Sequence, residues 1–470
     1  MITVIGGGPA GMNAALTAAN AGIPVLLLES SPRLGGQYWR HLPENGLNPW
    51  MGQSALQSDY GAGFLLRNQV MSNPKIEVLC AAQVWSVTKE EKIIVNFLHD
   101  GVSHRVSTQF LILATGAYDR TLPFPGWDIP GVMTPGSAQA LLKGSHVLAG
   151  KKMVVAGTGP FLLPVADGLS KGGVEIVGLY EAHHLRKWVS HSGVALRNIK
   201  KILQGARYLG ALHQRRGYVV ISAHAGTSGQ LEFVKIAKVD SKYHIKEESI
   251  TEIRCDAAAI GWGFTPDLSI AQSLALQLIA GQDGFPVVAV DEYQRTSDLR
   301  VFAAGEITGI GGSELSLTEG LIAGQSAADS LMYIDRTTTR TKIGGNFKLR
   351  KKQRRFANTL LKIYSVKPGW KSWLTDETLI CRCEEVSLGV LKSSITELGV
   401  TDARSAKLLT RVGMGACQGR ICSRTAVEII AGEQKVDVKV QDFISTGNRP
   451  IFTPITLGQL AQGPRSYDAL

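Results

Sequence analysis

The sequence has no long apolar run: nowhere do about 18 consecutive apolar residues occur, so no membrane-spanning helix is expected. No basic leader precedes the first apolar residues, which are committed to a glycine-rich turn, so a signal peptide is not expected and the cytoplasm is the default compartment. Cysteine is scarce, six in 470 residues, and in a large chain of this kind structural disulfides are not expected. Acid is missing over one long stretch. From Arg336 to Thr375 there is no Asp or Glu, while Lys348 to Arg355 reads KLRKKQRR; the whole chain carries +11. Two readings of that stretch stand side by side: a solvated basic linker, or a docking face for an acidic partner surface. Nucleic acid is not expected as the partner, because no fold that binds it accompanies the patch. The apolar share of 44% and charged share of 19% are those of a soluble globular protein, and the length suggests roughly three domains.

What is present begins at the N-terminus. Ile2, Val4 and Ile5 form a short buried strand, followed by Gly6, Gly8, Pro9, Ala10 and Gly11 in G-x-G-x-x-G order and an alanine-rich helix to Asn20. Gly6 permits the tight turn, Gly8 lets backbone approach a pyrophosphate, and Gly11 lets the helix close on the strand. A second strand, Ile23 to Leu28, ends in Glu29, where a carboxylate should meet an adenosine ribose. Arg33-Leu34-Gly35-Gly36-Gln37 then continues as a flavin-binding fold does, with loop backbone against the cofactor. Val84, in a strand-like run, is a candidate for backbone contact with adenine. Phe110 to Gly116, FLILATG, closes the lobe with Thr115 and Gly116 at its end. A later strand, Val301 to Ala304, carries Gly305-Glu306, a second flavin signature in which an acid binds ribitol or phosphate-side hydroxyls. Glu319-Gly320 is expected to open a helix whose positive end faces the flavin ring and stabilises its reduced, anionic form.

Between these stretches a second strand-turn-helix begins at Lys152. Gly157 and Gly159 repeat the fingerprint, but its third glycine position is Leu162. Leucine cannot give the same close helix–strand approach, so the nucleotide site is expected to be altered or lost. Glu181 ends the next strand in the place of a ribose-binding acid. No C-x-x-C or C-x-x-x-x-C lies beside either lobe, which argues against a disulfide reductase. His183, His184 and His191 lie close together, but neighbours in sequence point to different faces, so surface residues rather than a metal site are expected. Cys80 and Cys255 each sit alone, as buried structural thiols do.

The other four cysteines cluster near the C-terminus as Cys381-Arg382-Cys383 and Cys417-Gln418-Gly419-Arg420-Ile421-Cys422. Helix-like stretches, Leu388 to Leu398 and Ser405 to Leu409, lie between the pairs. Four thiolates on loops hold either zinc or an iron–sulfur cluster. The C-x-x-C knuckles of zinc ribbons are absent, and Gly415 and Gly419 leave bare amides near the sulfurs, which favours the cluster.

Residues 381 to 422 resemble the bacterioferritin-associated-ferredoxin type of [2Fe-2S] domain. The whole chain resembles the alpha subunit of heteromeric flavin-dependent amino-acid and opine dehydrogenases. That family includes D-hydroxyproline dehydrogenase, octopine and nopaline dehydrogenases and the B component of hydrogen cyanide synthase. The stretches that carry the resemblance are GGGPAG, LGGQYWR, ATGAYDR, LPFPGWDIPGVMTPG, VVAGTGPFLLPVA, CRCEEV, GACQGRIC and RPIFTPITLGQLA. It implies an α/β chain of two Rossmann-like lobes plus a small helical cluster domain. It also implies FAD and a [2Fe-2S] centre, the latter on Cys381, Cys383, Cys417 and Cys422. FMN at a subunit interface, and ATP or NAD(P) in the second lobe, are further candidates. The amine would be oxidised on a separate FAD-dependent beta subunit; a small ferredoxin-like gamma subunit is another candidate partner. Peripheral membrane association would come only through the complex.

The expected domains are 1–118 with 285–335 for FAD, 119–284 for the second lobe, 336–376 for a basic linker strap, 377–432 for the cluster and 433–470 for a tail. No side chain is expected to act as an acid–base catalyst, since the expected role is electron relay between the beta subunit's FAD, this chain's cofactors and an acceptor. Two rivals remain: a stand-alone NAD(P)H-dependent reductase, and a non-catalytic scaffold subunit with a structural zinc module.

Overall fold

The computed structural model describes residues 1–43, 59–184, 214–447 and 449–469. Ile2–Ile5 is a strand with every side chain buried. It is the centre of a five-stranded parallel sheet, in the order Val301–Ala303, Phe110–Leu113, Ile2–Ile5, Val25–Leu28, Ile76–Leu79. A parallel sheet covered on both faces reads as near-continuous apolar runs, and VLLL and FLIL are such runs.

Helix Pro9–Asn20 covers one face and helix Ser313–Leu331 packs against it. The contact needs two glycines. A Cβ on Gly320 would lie 2.1 Å from the Ala10 carbonyl oxygen, and one on Gly324 would lie 2.3 Å from that of Ala14. Residues four apart share a helix face, so this pair lets two backbones touch. The expectation that Glu319-Gly320 opens this helix is corrected. The helix begins at Ser313, after Gly312 at φ 82°, and Glu319 is a buried residue inside it.

The other face meets a four-stranded sheet in the order Arg465–Ser466, Val102–Thr108, Ile93–His99, Gln83–Lys89. The C-terminal segment thus returns to the first lobe. Phe452 enters its core, and Tyr467 donates from its hydroxyl to Glu77 at 2.5 Å.

The second lobe repeats the design with Gln214–Arg216, Glu175–Glu181, Lys152–Gly157, Ala257–Gly261 and Val132–Met133, all parallel. An antiparallel three-stranded sheet, Tyr218–Ala225 to Ile245–Arg254, packs with it. The two lobes are joined by antiparallel crossover strands, Ala117–Asp119 and Phe264–Pro266. The hairpin Leu278–Ala280 with Pro286–Val288 straddles the 284/285 boundary read from sequence.

The basic stretch is not a solvated linker. Arg336–Ile363 is one helix, whose start is capped by Asp335 accepting from the amides of Thr337 and Thr338. Thr339, Ile343, Phe356, Ala357 and Ile363 bury one face against the molecule, while Lys348, Lys351, Lys352 and Arg355 are exposed. Beyond it come the hairpin Leu379–Cys381 with Val386–Ser387 and the helices Leu388–Thr396, Ala403–Thr410 and Ser423–Gln434. The last of these carried no sequence signal that we read. Trp127, Tyr243 and Trp262 of the second lobe share one apolar core with Trp370, Trp373, Ile380 and Leu391.

Candidate functional site

At the C-terminal ends of the first sheet's strands, where doubly wound folds take their ligands, the predicted glycines come together. Gly6, at φ 107°, has no room for a side chain, since a Cβ would stand 2.3 Å from the Ala114 carbonyl oxygen. A Cβ on Gly11 would meet the Gly6 oxygen at 1.8 Å, which is the close helix–strand approach the fingerprint requires. Gly8 differs: the nearest atom to its virtual Cβ is Gly36 Cα at 3.8 Å, so the surface there is open to a ligand. Pro9 begins the helix, where its missing N–H costs nothing, and no side chain caps the helix start. Its positive end is left for an anion such as a pyrophosphate.

Glu29 is buried and braces this loop, accepting from the Gly7 amide at 2.5 Å and the Ser31 amide at 2.7 Å. Ala10 packs on Gly305, whose virtual Cβ would lie 3.0 Å from the Ala10 methyl. Thr115 Oγ1 donates to the Asp267 carbonyl at 2.8 Å, and the Asp267 amide donates to Gly116 O at 3.0 Å. Three further predicted residues already have partners within the chain. Arg33 spends its guanidinium on the carbonyls of His41 and Gly144. Gln37 is exposed and accepts from Arg40 at 2.7 Å. Val84 pairs with Phe97 in the four-stranded sheet, and its carbonyl accepts from Thr453 Oγ1 at 3.1 Å.

Glu306 accepts from the amides of Gly311 at 3.1 Å and Gly312 at 2.7 Å, at the start of helix Ser313–Leu331. Burial raises its pKa despite those two bonds. Beneath it lies an acid that the sequence reading assigned no such role. Glu319, fully buried, accepts from the Gly305 amide at 3.1 Å, Thr308 Oγ1 at 2.7 Å, Arg350 Nε at 3.0 Å and Arg354 Nη2 at 2.7 Å. Burial alone would raise its pKa, but Arg354 and Arg350 outweigh it and hold the carboxyl below the usual range. The basic helix therefore sets the floor of the Gly305–Thr308 turn. Spacing could not reveal this, because Glu319 and Arg354 lie on separate helices.

The second lobe keeps the acid but changes the turn. Glu181 accepts from the Gly159 amide at 3.0 Å, the His183 amide at 3.0 Å and Thr158 Oγ1 at 2.8 Å, matching the Glu29 arrangement. Burial raises its pKa to about 7. Leu162 is buried where the first lobe has Gly11, and the helix starts only at Leu162. The amides of Leu162 and Leu163 fold back to Gly159 and Pro160 at 3.3 Å, so the turn that would face a pyrophosphate is tightened. His183 is a correction. It is buried, with Nε2 2.8 Å from the Tyr243 hydroxyl and 2.9 Å from the Ser365 carbonyl oxygen. His184 is exposed, and His191 lies outside the described residues. Cys255 is buried as expected, while Cys80 is half-buried.

All four clustered cysteines line one cavity of about 270 Å³ between the hairpin, the loop 417–422 and the second lobe's Trp127 to Ser137. They are free thiols that meet as two hydrogen-bonded pairs, Cys381 with Cys422 and Cys383 with Cys417. The contact with Cys422, aided by amides of Gly413, Glu384 and Cys383, pushes the Cys381 thiol down to about 5, and Cys422 is pushed up in return. Backbone N–H groups aimed at a thiolate sulfur are what an iron–sulfur site uses. Among the described residues no three His, Cys, Asp or Glu side chains converge at single-ion geometry. A Cβ on Gly415 would lie 2.2 Å from Cys383 Cβ, so glycine is needed for the loops to close.

The sequence reading also missed the tie between the two sites. Asp267, which clasps Thr115 and Gly116, is 3.3 Å from Arg420 Nε, and Arg420 lies between Cys417 and Cys422. Arg120 and Arg424 likewise join the cluster domain to the lobes, through Glu428 at 2.8 Å and Asp283 at 2.9 Å.

Two glycine-turn lobes with a braced acid in each, and a four-thiol module docked across them, define the two-lobed flavoprotein class with an appended cluster domain. The chain belongs to the pyridine nucleotide-disulphide oxidoreductase family, whose model matches residues 1–327, and it is a flavin-dependent oxidoreductase. Residues 379–432 match the BFD-like [2Fe-2S] binding domain. The chain is 30% identical to the A component of opine oxidase from Rhizobium meliloti (strain 1021), over 97% of each chain. It is also 30% identical to the hydrogen cyanide synthase component HcnB of Pseudomonas protegens, over 89% of each. In fold it is similar to L-proline dehydrogenase from P. horikoshii, with a TM-score of 0.68 at 21% identity over 98% of this chain and 78% of that one. Among the described residues no helix is long and apolar enough to cross a membrane.

Proposed function

We propose that the chain is the electron-transfer subunit of a heteromeric amino-acid or opine dehydrogenase. The FAD would rest on Gly6, Gly8, Pro9, Ala10, Gly11, Gly36, Thr115, Gly116, Gly305 and Glu306, with Glu29 at the ribose. Val84 would offer backbone to the adenine. The [2Fe-2S] centre would be held by Cys381, Cys383, Cys417 and Cys422. When bound, the two groups supply one- and two-electron carriers; the chain's own residues bind and orient them and shield them from water.

The observation that carries this reading is Asp267. Its main chain clasps the flavin-side residues Thr115 and Gly116, and its carboxylate holds Arg420 in the cluster loop. Two carriers tied through one residue suit a relay. The opine oxidase and hydrogen cyanide synthase relatives are, by name, single subunits of those enzymes, which supports such assembly. The tightened turn at Leu162 counts against a reductase that takes electrons from NAD(P)H.

The test is analysis of the full chain co-expressed with its neighbouring genes. Two irons, acid-labile sulfide and one FAD per chain are expected, with bleaching on addition of imino acids or opines to the complex. Stoichiometric zinc without flavin, or rapid bleaching of the isolated chain by NADH, would overturn the proposal.

A further inference from the structure

Arg449 begins the segment that leaves the cluster domain and returns to the first lobe. Its guanidinium reaches back over the cysteine loop. Nη1 donates to the Gln418 main-chain carbonyl at 3.2 Å and to the Gln418 side-chain oxygen, and Nη2 donates to the Gly413 carbonyl at 3.2 Å. One planar group thus joins the glycine turn before Cys417 to the loop that ends at Cys422. Three and four residues further on, the chain is pinned to the first lobe: the Phe452 amide donates to Trp85 O at 3.1 Å, and Thr453 Oγ1 to Val84 O. The guanidinium is therefore placed from the flavin side of the molecule.

Among the described residues its hydrogen bonds go to no carboxylate. The acceptors of Arg449 are carbonyl oxygens, and the loop it clamps runs from Cys417 to Cys422. The cations Arg420 and Lys407 stand near it, yet Arg420 has Asp267 as its own partner. A half-buried cation among cations costs free energy unless an anion faces it. A binuclear centre on four thiolates is such an anion, and it becomes more negative on reduction. A fixed cation at close range favours the reduced form.

We infer that Arg449 is the counter-charge of the iron–sulfur centre, a positioning residue that clamps its two loops and raises its reduction potential. This rests on the cluster assignment proposed above.

The experiment is an EPR-monitored redox titration of the full chain, as purified with iron and flavin, for wild type and the variants R449Q, R449K and Q418E. R449Q is expected to shift the one-electron equilibrium about tenfold toward the oxidised centre, about 59 mV downward. R449K keeps the charge and should restore most of the potential. Q418E keeps a partner for the guanidinium but neutralises it, so its potential should fall as well. An R449Q protein with full iron and the wild-type potential overturns the inference. If R449Q loses its iron, an unshifted potential in Q418E overturns it instead. A wild-type chain without iron removes the cluster assignment and this inference together, whereas loaded, unshifted variants remove only the latter.

Discussion

Arg354 Nη2 stands 2.7 Å from Glu319 Oε1, and the same guanidinium donates to the Gly309 carbonyl at 2.6 Å and to Thr308 Oγ1 at 2.9 Å. A residue from the most basic stretch of the chain is thus an internal brace. It fixes the turn that carries Gly305 and Glu306, and it is not available to a partner.

Removing the acid from this brace strands two guanidinium groups. E319Q is expected to lower stability by about 3 kcal/mol, the scale for breaking a buried pair from one side. The pH dependence has a definite sign. Because Glu319 is held below its usual value, its stabilisation is present above about pH 4.3 and is lost as pH falls through the folded value. Denaturant unfolding of wild type and E319Q at pH 7 and pH 4 should show the gap shrink on acidification; a constant gap would refute the ion-pair account.

The outer face of the same helix has a different role. Lys351, Lys352 and Arg355 are exposed, and we propose that they meet an acidic surface of a partner subunit. The triple reversal K351E/K352E/R355E should reduce co-purification of the partner several-fold at low salt. It should also flatten the salt dependence, because an attraction that salt would screen is gone. Undiminished recovery of the partner would count against this face.

Gly320 tests the helix contact under the nucleotide turn. A methyl there would meet the Ala10 backbone oxygen at 2.1 Å, and backbone cannot yield as a flexible side chain can. G320A should cost about 1–3 kcal/mol and lower the flavin-to-protein absorbance ratio of the purified chain. Gly344, in the basic helix, has nothing within 4 Å of its virtual Cβ. G344A should instead stabilise by about 0.5–1 kcal/mol, through helix propensity alone. Equal thermal shifts for the two would sink the packing argument.

Glu181 gives the opposite pH signature to Glu319. Its folded value is raised to about 7 from 4.5 by burial, so the folded chain keeps a proton that the unfolded chain releases. Stability therefore falls as pH rises between those values, by about 3 kcal/mol for such a shift. E181Q pays a fixed cost for its altered hydrogen bonds but does not titrate. Relative to wild type it should gain stability between pH 5 and pH 8, measured by chemical denaturation. A parallel pH profile would show that Glu181 is ionised throughout.

Much of the site was legible in the chain because its physics is local. Gly6, Gly8 and Gly11 fall in a fixed order within one strand-turn-helix, where Gly11 must clear the Gly6 oxygen, and Glu29 follows at the end of the next strand, so spacing alone located them. The four cysteines were legible as a group, since thiolates that share a centre must lie on short loops, but folding alone set Cys381 against Cys422 and Cys383 against Cys417. Leu162 announced a changed second turn for the same reason: the missing approach is between neighbours in sequence.

What the sequence by itself determined is the set of turns whose geometry is closed within a few residues. The tertiary structure alone decided which charges meet. Glu319 with Arg354, Asp267 with Arg420 and Arg449 with the cysteine loop each join segments far apart in the chain. An ion pair leaves no periodic mark in either partner, so a basic run reads as solvent-facing until folding buries one side of its helix. His183 was misread for a related reason, because its burial comes from Tyr243 and Ser365, which reach it only when the second lobe and the segment after the basic helix pack together.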